Sequence, residues 1–495
     1  MTDMKKEVEE LRLLLRSSFP VVVVETAEEQ RFLDVAENLA NLDDKTLFTW
    51  STVRGLSGNR AGTSLTMTRD LGDCINHITS DPRGGIYVFL DATPYLEDPQ
   101  IVRMIRELAM AHTRNRITMV FVGTRVDLHP DLQRMSATFR MSAIGPDEVK
   151  ALIKEEADMY MFQRETNIKA DKAAYEMLVQ HLIGLSRDDA RRMIRQSIEH
   201  EGAITMEDVA RVLKLKHESL GKDGTLQMVT EIESLENVGG LARLKKWLEL
   251  RRDAFQGKKG TEGLDVPRGV LLLGVQGAGK SLSARAIAGA WRVPLLRLDF
   301  GALYNKFHGE TERNLRDALE TASQMSPAIL WMDEIEKGVA SDSGGDGGVS
   351  RRVLGTLLTW MSERKNRVFM IATANDIESL PPELLRKGRF DEIFFVDLPT
   401  APIRAEIFAI HLKRRKHAVE KFDLHRLASN SDRFSGAEIE QAIIAAAYTA
   451  HAQGKELETV HVLAELGATR PLAVVRAEKV QALRDWAAER TVPTD

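Results

Sequence analysis

The segment Gly274 to Ser281, with the sequence GVQGAGKS, constrains this chain more than any other feature. It follows the apolar run Val270–Leu273 and precedes a helix-prone stretch from Leu282 to Trp291. A glycine loop between a strand and a helix lets successive backbone N–H groups surround a polyphosphate, and the helix N-terminus adds positive potential. The segment therefore predicts a P-loop that binds a nucleoside triphosphate.

Different residues of this loop are expected to bind the phosphates and the metal ion. Lys280 can neutralise the β and γ phosphates, and the Ser281 hydroxyl can ligate Mg²⁺. The cofactors predicted from these residue types are ATP and Mg²⁺. The nucleotide contacts expected from the loop and the start of the helix are Gly274, Gly277, Ala278, Gly279, Lys280, Ser281 and Leu282.

Polar residues that suit hydrolysis follow two further apolar strands. Asp333 and Glu334 follow the strand Ala328–Met332, and Asn375 follows the strand Val368–Ala374. Asp333 would hold Mg²⁺ through water, Glu334 would accept a proton from the attacking water, and Asn375 would position that water. An isolated acidic pair is more often a solvated helix start, and an isolated asparagine a turn residue. Their place after a P-loop favours the catalytic interpretation.

Two arginines, Arg386 and Arg389, lie three residues apart beyond Asn375. Arginines at this spacing are usually a solvated face. However, phosphoryl transfer gains from a guanidinium on the developing charge. If these arginines face the nucleotide of a neighbouring subunit, the protein must assemble before it can hydrolyse.

In this order the motifs of residues 232–450 resemble the AAA clade of AAA+ ATPases, which contains membrane proteases, proteasomal ATPases and membrane-fusion ATPases. The resemblance identifies Asp333-Glu334 as Walker B, Asn375 as sensor 1, and Arg386 with Arg389 as arginine fingers. It also implies a ring, which we expect to be a homohexamer. Further nucleotide contacts that it implies are Val238 and Gly239 on the adenine side, His411 near the ribose and base, and Gly436 with Ala437 in the lid motif.

Phe307 matches the aromatic residue that faces the central channel in this clade and grips an extended polypeptide. Its other interpretation is an ordinary core aromatic, although its polar neighbours argue against burial. Over the whole chain, the divergent first half, the ATPase module and the tail resemble the ycf-type AAA+ ATPases. The apolar spacing of Val480, Leu483 and Trp486 predicts a packing helix in that tail.

Five regions are predicted. They are an N-terminal α/β domain (1–145), a helical lid-like domain (146–220), a linker (221–237), the large nucleotide-binding domain (238–399), and a helical lid with a C-terminal tail (400–495). The fold class is α/β, with parallel sheets flanked by helices and the same plan used twice.

The first half resembles a degenerate copy of the second. After the strand Val21–Val24 the chain reads ETAEEQ, without glycine or lysine, and Thr26 to Glu29 predicts a capping box that opens a helix. Leu90-Asp91 resembles a Walker B strand end in which Ala92 replaces the glutamate. Gly123 to Arg125 lacks a sensor asparagine. We expect this half to bind no ATP, and an unrelated α/β adaptor domain remains the alternative.

Composition excludes several classes of protein. The net charge of −5 offers no bulk attraction to nucleic acid or anionic membranes. The single cysteine, Cys74, excludes an intrachain disulfide and fits a reducing compartment. No apolar run reaches the ~18–20 residues that span a bilayer, and no HExxH motif supports a fused protease. We therefore expect a cytoplasmic protein without membrane insertion.

These patterns predict a ring-forming, Mg²⁺-dependent ATPase that remodels or threads a protein client. Two alternatives stay open. One is an ATP-gated scaffold or regulator that threads nothing. The other is a nucleic-acid motor, against which the net charge and the lack of a long Lys/Arg run both weigh.

Overall fold

The structure is a computed structural model, and it divides the chain into two compact units. Residues Met1–Lys169 and Leu182–Ala203 form the first unit, and residues Ala170–His181 and Ile204–Asp495 form the second. The structure describes residues 2–26, 28–58, 66–141, 144–166, 168–183, 185–220, 224–304, 311–339, 347–386 and 388–495.

The first unit contains a six-stranded sheet in the order β3-β2-β4-β5-β1-β6. Its pairs are parallel except for β2 with β3. Helices cover both faces, so Val21 and Val23 enter one apolar core while Val22 and Val24 enter the other. This explains the unbroken valine run, because a parallel strand is buried on both sides. The strands are β1 (Val21–Glu25), β2 (Thr46–Ser51), β3 (Gly55–Gly58), β4 (Gly85–Leu90), β5 (Ile117–Gly123) and β6 (Ser136–Phe139).

One local prediction for this unit is wrong. Thr26 and Glu29 do not form a capping box, because the helix begins at Glu29 and Glu28 is its N-cap without a side-chain capping bond. The Thr26 hydroxyl instead accepts from the backbone N–H of Glu28 at 3.0 Å. The helices up to residue 133 are α1 (Thr2–Arg16), α2 (Glu29–Leu42), α3 (Leu71–Ser80), α4 (Pro99–Met110), α5 (His112–Asn115) and α6 (Pro130–Gln133).

The middle of the chain, where a helical domain is predicted over residues 146–220, contains helices and two strands of two residues each. The segment Thr205 to Asp208 opens a helix, since Asp208 Oδ2 accepts from the Thr205 N–H at 2.8 Å and from its hydroxyl at 2.9 Å. The elements here are α7 (Pro146–Arg164), β7 (Lys169–Ala170), α8 (Lys172–Leu182), α9 (Arg187–Glu201), β8 (Ala203–Ile204) and α10 (Met206–Leu220).

The second unit contains a seven-stranded sheet in the order β15-β14-β10-β13-β12-β11-β9. Read from its other edge, it repeats the first sheet: an antiparallel edge strand is followed by parallel strands, which number five in the first sheet and six in the second. The expected use of one plan twice is confirmed by this order. The range 221–237, predicted as a linker, supplies the edge strand β9. The strands are β9 (Leu226–Val229), β10 (Gly269–Gly274), β11 (Leu295–Leu298), β12 (Ala328–Met332), β13 (Val368–Ala374), β14 (Glu392–Val396) and β15 (Val492–Pro493).

Helices flank this sheet and then form a separate lid core around Phe408 and Ile443. Among the residues that the structure describes, no helix is both long and apolar enough to cross a membrane. The helices are α11 (Ala242–Gln256), α12 (Lys280–Trp291), α13 (Phe300–Tyr304), α14 (Thr311–Gln324), α15 (Ile335–Val339), α16 (Gly347–Glu363), α17 (Ala401–Arg414), α18 (Leu424–Ser429), α19 (Gly436–Ala452), α20 (Thr459–Ala468), α21 (Leu472–Val475) and α22 (Ala477–Ala488).

Candidate functional site

A cavity of about 210 Å³ lies at the carboxyl ends of β10, β12 and β13. We call it the glycine-loop cavity. It is lined by nine of the site residues predicted from the sequence and by two that were not predicted, Gln276 and Thr373. The nine are Gly277, Gly279, Lys280, Ser281, Leu282, Asp333, Glu334, Asn375 and Ala437.

The glycines of the loop are required by its backbone. Gly279 has φ +100° and is the N-cap of α12, a conformation that a residue with a Cβ rarely adopts. At Gly274 an added Cβ would lie 2.0 Å from the carbonyl oxygen of Val396 on β14. Only glycine therefore lets β10 continue into the loop so close to the neighbouring strand.

Lys280 is folded against this loop. Its side chain is buried, at 6% exposure, and Nζ donates to the carbonyl oxygens of Gly274 at 2.7 Å and Val275 at 2.8 Å. Burial lowers the pKa of Lys280 to about 8, against the opposing effect of nearby carboxylates. The lysine is thus a poorly solvated cation whose charge an anionic ligand in the cavity would stabilise.

Ser281 and Asp333 present the oxygen atoms that a hard cation requires. The Ser281 hydroxyl donates to Asp333 Oδ1 at 2.9 Å. A hydroxyl oxygen and a carboxylate oxygen this close, beside a phosphate-binding loop, suit Mg²⁺, which prefers oxygen ligands and keeps several waters. The residues present therefore fit the predicted magnesium site.

The backbone of Glu334 is held in an unusual conformation. Its φ is +48°, in the left-handed region that costs a non-glycine residue about 1–3 kcal/mol. Thr373 restrains it, because the Thr373 hydroxyl accepts from Glu334 N–H at 2.9 Å and donates to Asp333 Oδ1 at 2.6 Å. Asn375 Nδ2 donates to Glu334 Oε1 at 2.9 Å. These bonds direct the Glu334 carboxylate into the cavity.

Two charged residues that follow Glu334, Glu336 and Lys337, also contact this arrangement. Lys337 Nζ contacts Glu334 Oε2, and this hydrogen bond raises the pKa of Lys337. Glu336 is buried, and its Oε1 accepts from Asn375 N–H at 3.0 Å. Burial raises the pKa of Glu336. The predicted sensor asparagine is therefore fixed at its backbone by Glu336 and at its side chain by Glu334.

The lid reaches the glycine loop at the start of α19. Ala437 N–H donates to the Gly277 carbonyl oxygen at 3.2 Å. Gly436 is the first residue of α19, and Ser435 and Glu438 form a capping box at its N-cap. An anion in the cavity would meet this helix N-terminus beside that of α12.

The residues predicted to lie on the adenine side are outside the glycine-loop cavity. Val238 is buried in the core, and a Cβ on Gly239 would lie 2.8 Å from Ile407 of α17. His411, also on α17, places Nδ1 3.4 Å from Glu440 Oε1. Burial lowers the pKa of His411 despite this carboxylate.

The two predicted arginine fingers, Arg386 and Arg389, do not line the glycine-loop cavity of their own chain. Arg386 is exposed and lines a different cavity of about 940 Å³, together with Arg268 and Asp391. Arg389 donates to the carbonyl oxygen of Leu358 and to the Ser362 hydroxyl on α16. Phe307 lies outside the described residues, and so does most of the glycine-rich segment 341–348.

Carboxylates occupy the corresponding loop of the first unit. Glu28 Oε1 accepts from Arg187 N–H, at the start of α9, at 2.5 Å, and Glu28 Oε2 pairs with Arg31 at 2.9 Å. Glu25 Oε1 accepts from Val126 N–H at 3.1 Å. Asp91, like Glu334, follows a central strand with a left-handed φ, here +50°. By backbone conformation Asp91 corresponds to Glu334 rather than to Asp333.

Sequence reasoning missed Thr373, Glu336 and Ser435. Thr373 belongs to an apolar strand, but it lies two residues before Asn375 and so points to the same side of the sheet. That spacing was the available signal. Glu336 acts through the backbone N–H of Asn375, 39 residues away, which no local pattern reveals. Ser435 lies three residues before Glu438, and this spacing of a capping box was the available signal.

Comparison with known proteins gives three matches to family models. They are the model described as ATPase family associated with various cellular activities (AAA), at residues 270–398; the SpoVK-like AAA ATPase N-terminal domain, at 7–141; and the SpoVK-like AAA ATPase second domain, at 147–223.

Some relatives match over nearly the full length of this chain and others over part of it. The uncharacterized AAA domain-containing protein ycf46 of Trieres chinensis is 34% identical over 97% of this chain and 96% of its own length. The protein of the same name from Guillardia theta is 33% identical over 97% of this chain and 94% of its own. The proteasome-activating nucleotidase of Aeropyrum pernix is 36% identical over 40% of this chain and 49% of its own.

Proposed function

The chain belongs to the AAA ATPase family, and from that premise we propose that it works as a ring whose ATP hydrolysis remodels a protein partner. Each nucleotide is bound by one protomer and is cleaved with the help of the next. Lys280 and the two helix N-termini bind the phosphates, while Ser281 and Asp333 hold Mg²⁺, which supplies charge neutralisation. Glu334 accepts the proton of the attacking water, and Asn375 fixes that carboxylate.

The separation between Arg386 and the glycine loop of the same chain carries this proposal. Arg268, which directly precedes β10, donates from Nη1 to the Gly388 carbonyl oxygen at 2.5 Å, and Asp391 accepts from Gly269 N–H at 3.0 Å. The arginine segment therefore lies at the amino end of β10, whereas the glycine loop follows its carboxyl end. Five steps along a strand span about 17 Å, which is more than an arginine side chain can cross. The Arg386 guanidinium can thus reach a glycine loop only in another protomer.

Mixing two inactive variants tests this shared site. Lys280→Ala removes phosphate binding but keeps Arg386, and Arg386→Ala removes the guanidinium but keeps the glycine loop. Each variant alone should hydrolyse ATP slowly. A mixture should regain activity, because some interfaces combine an intact loop with an intact arginine. The matched control is the double variant Lys280→Ala/Arg386→Ala, which should restore nothing when it is mixed with either single variant.

Two results would contradict the proposal. One is full ATPase activity of Arg386→Ala alone. The other is a mixture that co-assembles by native mass spectrometry and yet stays inactive. Remodelling is tested separately with Phe307→Ala, since loss of client unfolding with retained ATPase activity supports threading, and no loss favours an ATP-gated scaffold.

A further inference from the structure

The last 25 residues contact the elements around the glycine loop at four places, which are β14, the start of α11, Asp397 and the start of α19. We call residues 471–495 the C-terminal strap; it comprises α21, α22, β15 and the two residues after β15. All four points lie in the second unit, on elements that surround the glycine loop and the adenine-side turn.

The contacts with β14 and with the start of α11 fix the turn Val238–Leu241, which we call the adenine-side turn. Strand β15 pairs with β14, and Thr494 N–H donates to the Phe395 carbonyl oxygen at 3.3 Å. The Thr494 carbonyl oxygen then accepts from Arg243 N–H at 2.9 Å, and Asp495 Oδ1 accepts from Ala242 N–H at 3.2 Å. These are the first N–H groups of α11, whose own N-cap, Leu241, makes no side-chain capping bond. The strap therefore supplies the cap that a helix start requires.

This cap bears directly on the nucleotide site, because α11 begins where the turn Val238–Leu241 ends. The 3₁₀ turn before it, Leu235–Asn237, packs against α12, the helix that follows the glycine loop. On its other side the turn is held by the lid, since Gly240 N–H donates to Glu406 Oε2 on α17 at 3.0 Å. The turn is thus fixed between the lid and the strap.

The other two points join the strap to the lid hinge. Arg484 of α22 donates to both oxygens of Asp397 at 2.9–3.0 Å, and Asp397 lies between β14 and α17. Glu438 Oε1 accepts from Leu472 N–H at 2.7 Å, while its Oε2 completes the capping box of α19. The acid of the lid motif therefore binds the strap.

We propose that Asp495 and Arg484 are positioning residues that set the affinity for the adenosine part of ATP, and not for its phosphates. The inference rests on the proposed function, because it assumes that ATP binds at the glycine loop with its base at Val238 and Gly239, as the family resemblance implies. The strap contacts the turn, the hinge and the start of α19, and among the described residues of the glycine-loop cavity it supplies none. Losing a strap contact should move the base-side residues while leaving the phosphate-binding loop in place.

The test compares ATP with inorganic tripolyphosphate, which carries the phosphates without a base. Isothermal titration of the full chain should give an ATP affinity about fivefold weaker for Asp495→Ala, since an ordinary helix cap contributes about that factor. Tripolyphosphate affinity should stay within twofold. Asp495→Asn keeps the acceptor oxygen and should restore ATP binding. Lys479→Ala removes an exposed cation from the same helix as Arg484 and should leave both affinities unchanged.

The ion pair is tested by a double-mutant cycle. Arg484→Ala and Asp397→Ala should weaken ATP binding equally, and the double variant no further, because both remove one interaction. The inference is overturned if Asp495→Ala and Arg484→Ala bind ATP normally, or if ATP and tripolyphosphate weaken in parallel, which would mean that the strap only stabilises the fold. If the unmodified chain bound neither ligand, the proposed function itself would fail, and the strap inference with it.

Discussion

Replacing Thr373 by valine removes one hydroxyl from the glycine-loop cavity while it keeps the shape of the side chain. Thr373 is 1% exposed, so water cannot replace the lost group. The hydroxyl donates to the Asp333 carboxylate, an interaction worth about 1.5–3 kcal/mol, and accepts from Glu334 N–H, worth about 0.5–1.5 kcal/mol. The second bond restrains a left-handed residue, so its loss lets the Glu334 carboxylate move.

If the larger of these energies is lost from the transition state, kcat should fall about 10- to 100-fold, because each 1.4 kcal/mol is a factor of ten. ATP affinity should change much less, since Thr373 does not bond the glycine loop. Phosphate release gives kcat, titration calorimetry gives Kd, and thermal unfolding checks the fold. Thr373→Ser keeps the hydroxyl and is the matched control. A valine variant with normal kcat, or a serine variant equally impaired, would refute this reasoning.

Three other perturbations have defined outcomes. Glu334→Gln should bind ATP normally but cut kcat at least 100-fold; rapid turnover by this variant in a phosphate-release assay would exclude Glu334 as the base. Lys337→Ala should change kcat by less than about fivefold, because an exposed ion pair is worth about 1 kcal/mol or less; a larger loss would place Lys337 on the phosphates. Burial, with the nearby Lys216 as the lesser cause, lowers the pKa of His181 to about 3 from 6.5, so the unfolded chain takes up a proton first. The free energy of unfolding should therefore fall as the pH drops below 6.5. In urea titrations at pH 7, 6 and 5, His181→Phe should show a smaller fall; the same pH dependence in both proteins would reject this role of His181.

The sequence was informative wherever one local pattern carries the physics. The bounds predicted for the strands Ala328–Met332 and Val368–Ala374 match the structure to the residue, because strands buried on both faces form nearly continuous apolar runs. The order of glycine loop, acidic pair and asparagine predicted which residues share a cavity, since parallel strands bring their carboxyl ends to one edge.

Non-local pairing explains most of what the sequence did not reveal. Strands β9 and β15 have only four and two residues, too few to show a strand pattern, and pairing with β11 and β14 makes them strands. The bond from Thr373 to Asp333 joins two strands that are 40 residues apart. At Thr26 the pattern misled, because α2 begins at Glu29 and its N-cap is Glu28.

The length of β10 has a consequence for how many neighbours each chain needs. A protomer that receives a guanidinium at one end of this strand and presents its own at the other cannot satisfy both with a single twofold partner. Such a contact is heterologous, so an open chain of protomers always leaves one glycine loop without a guanidinium and one arginine segment without a nucleotide. In the proposed shared site, only a closed ring gives every glycine loop a guanidinium from its neighbour.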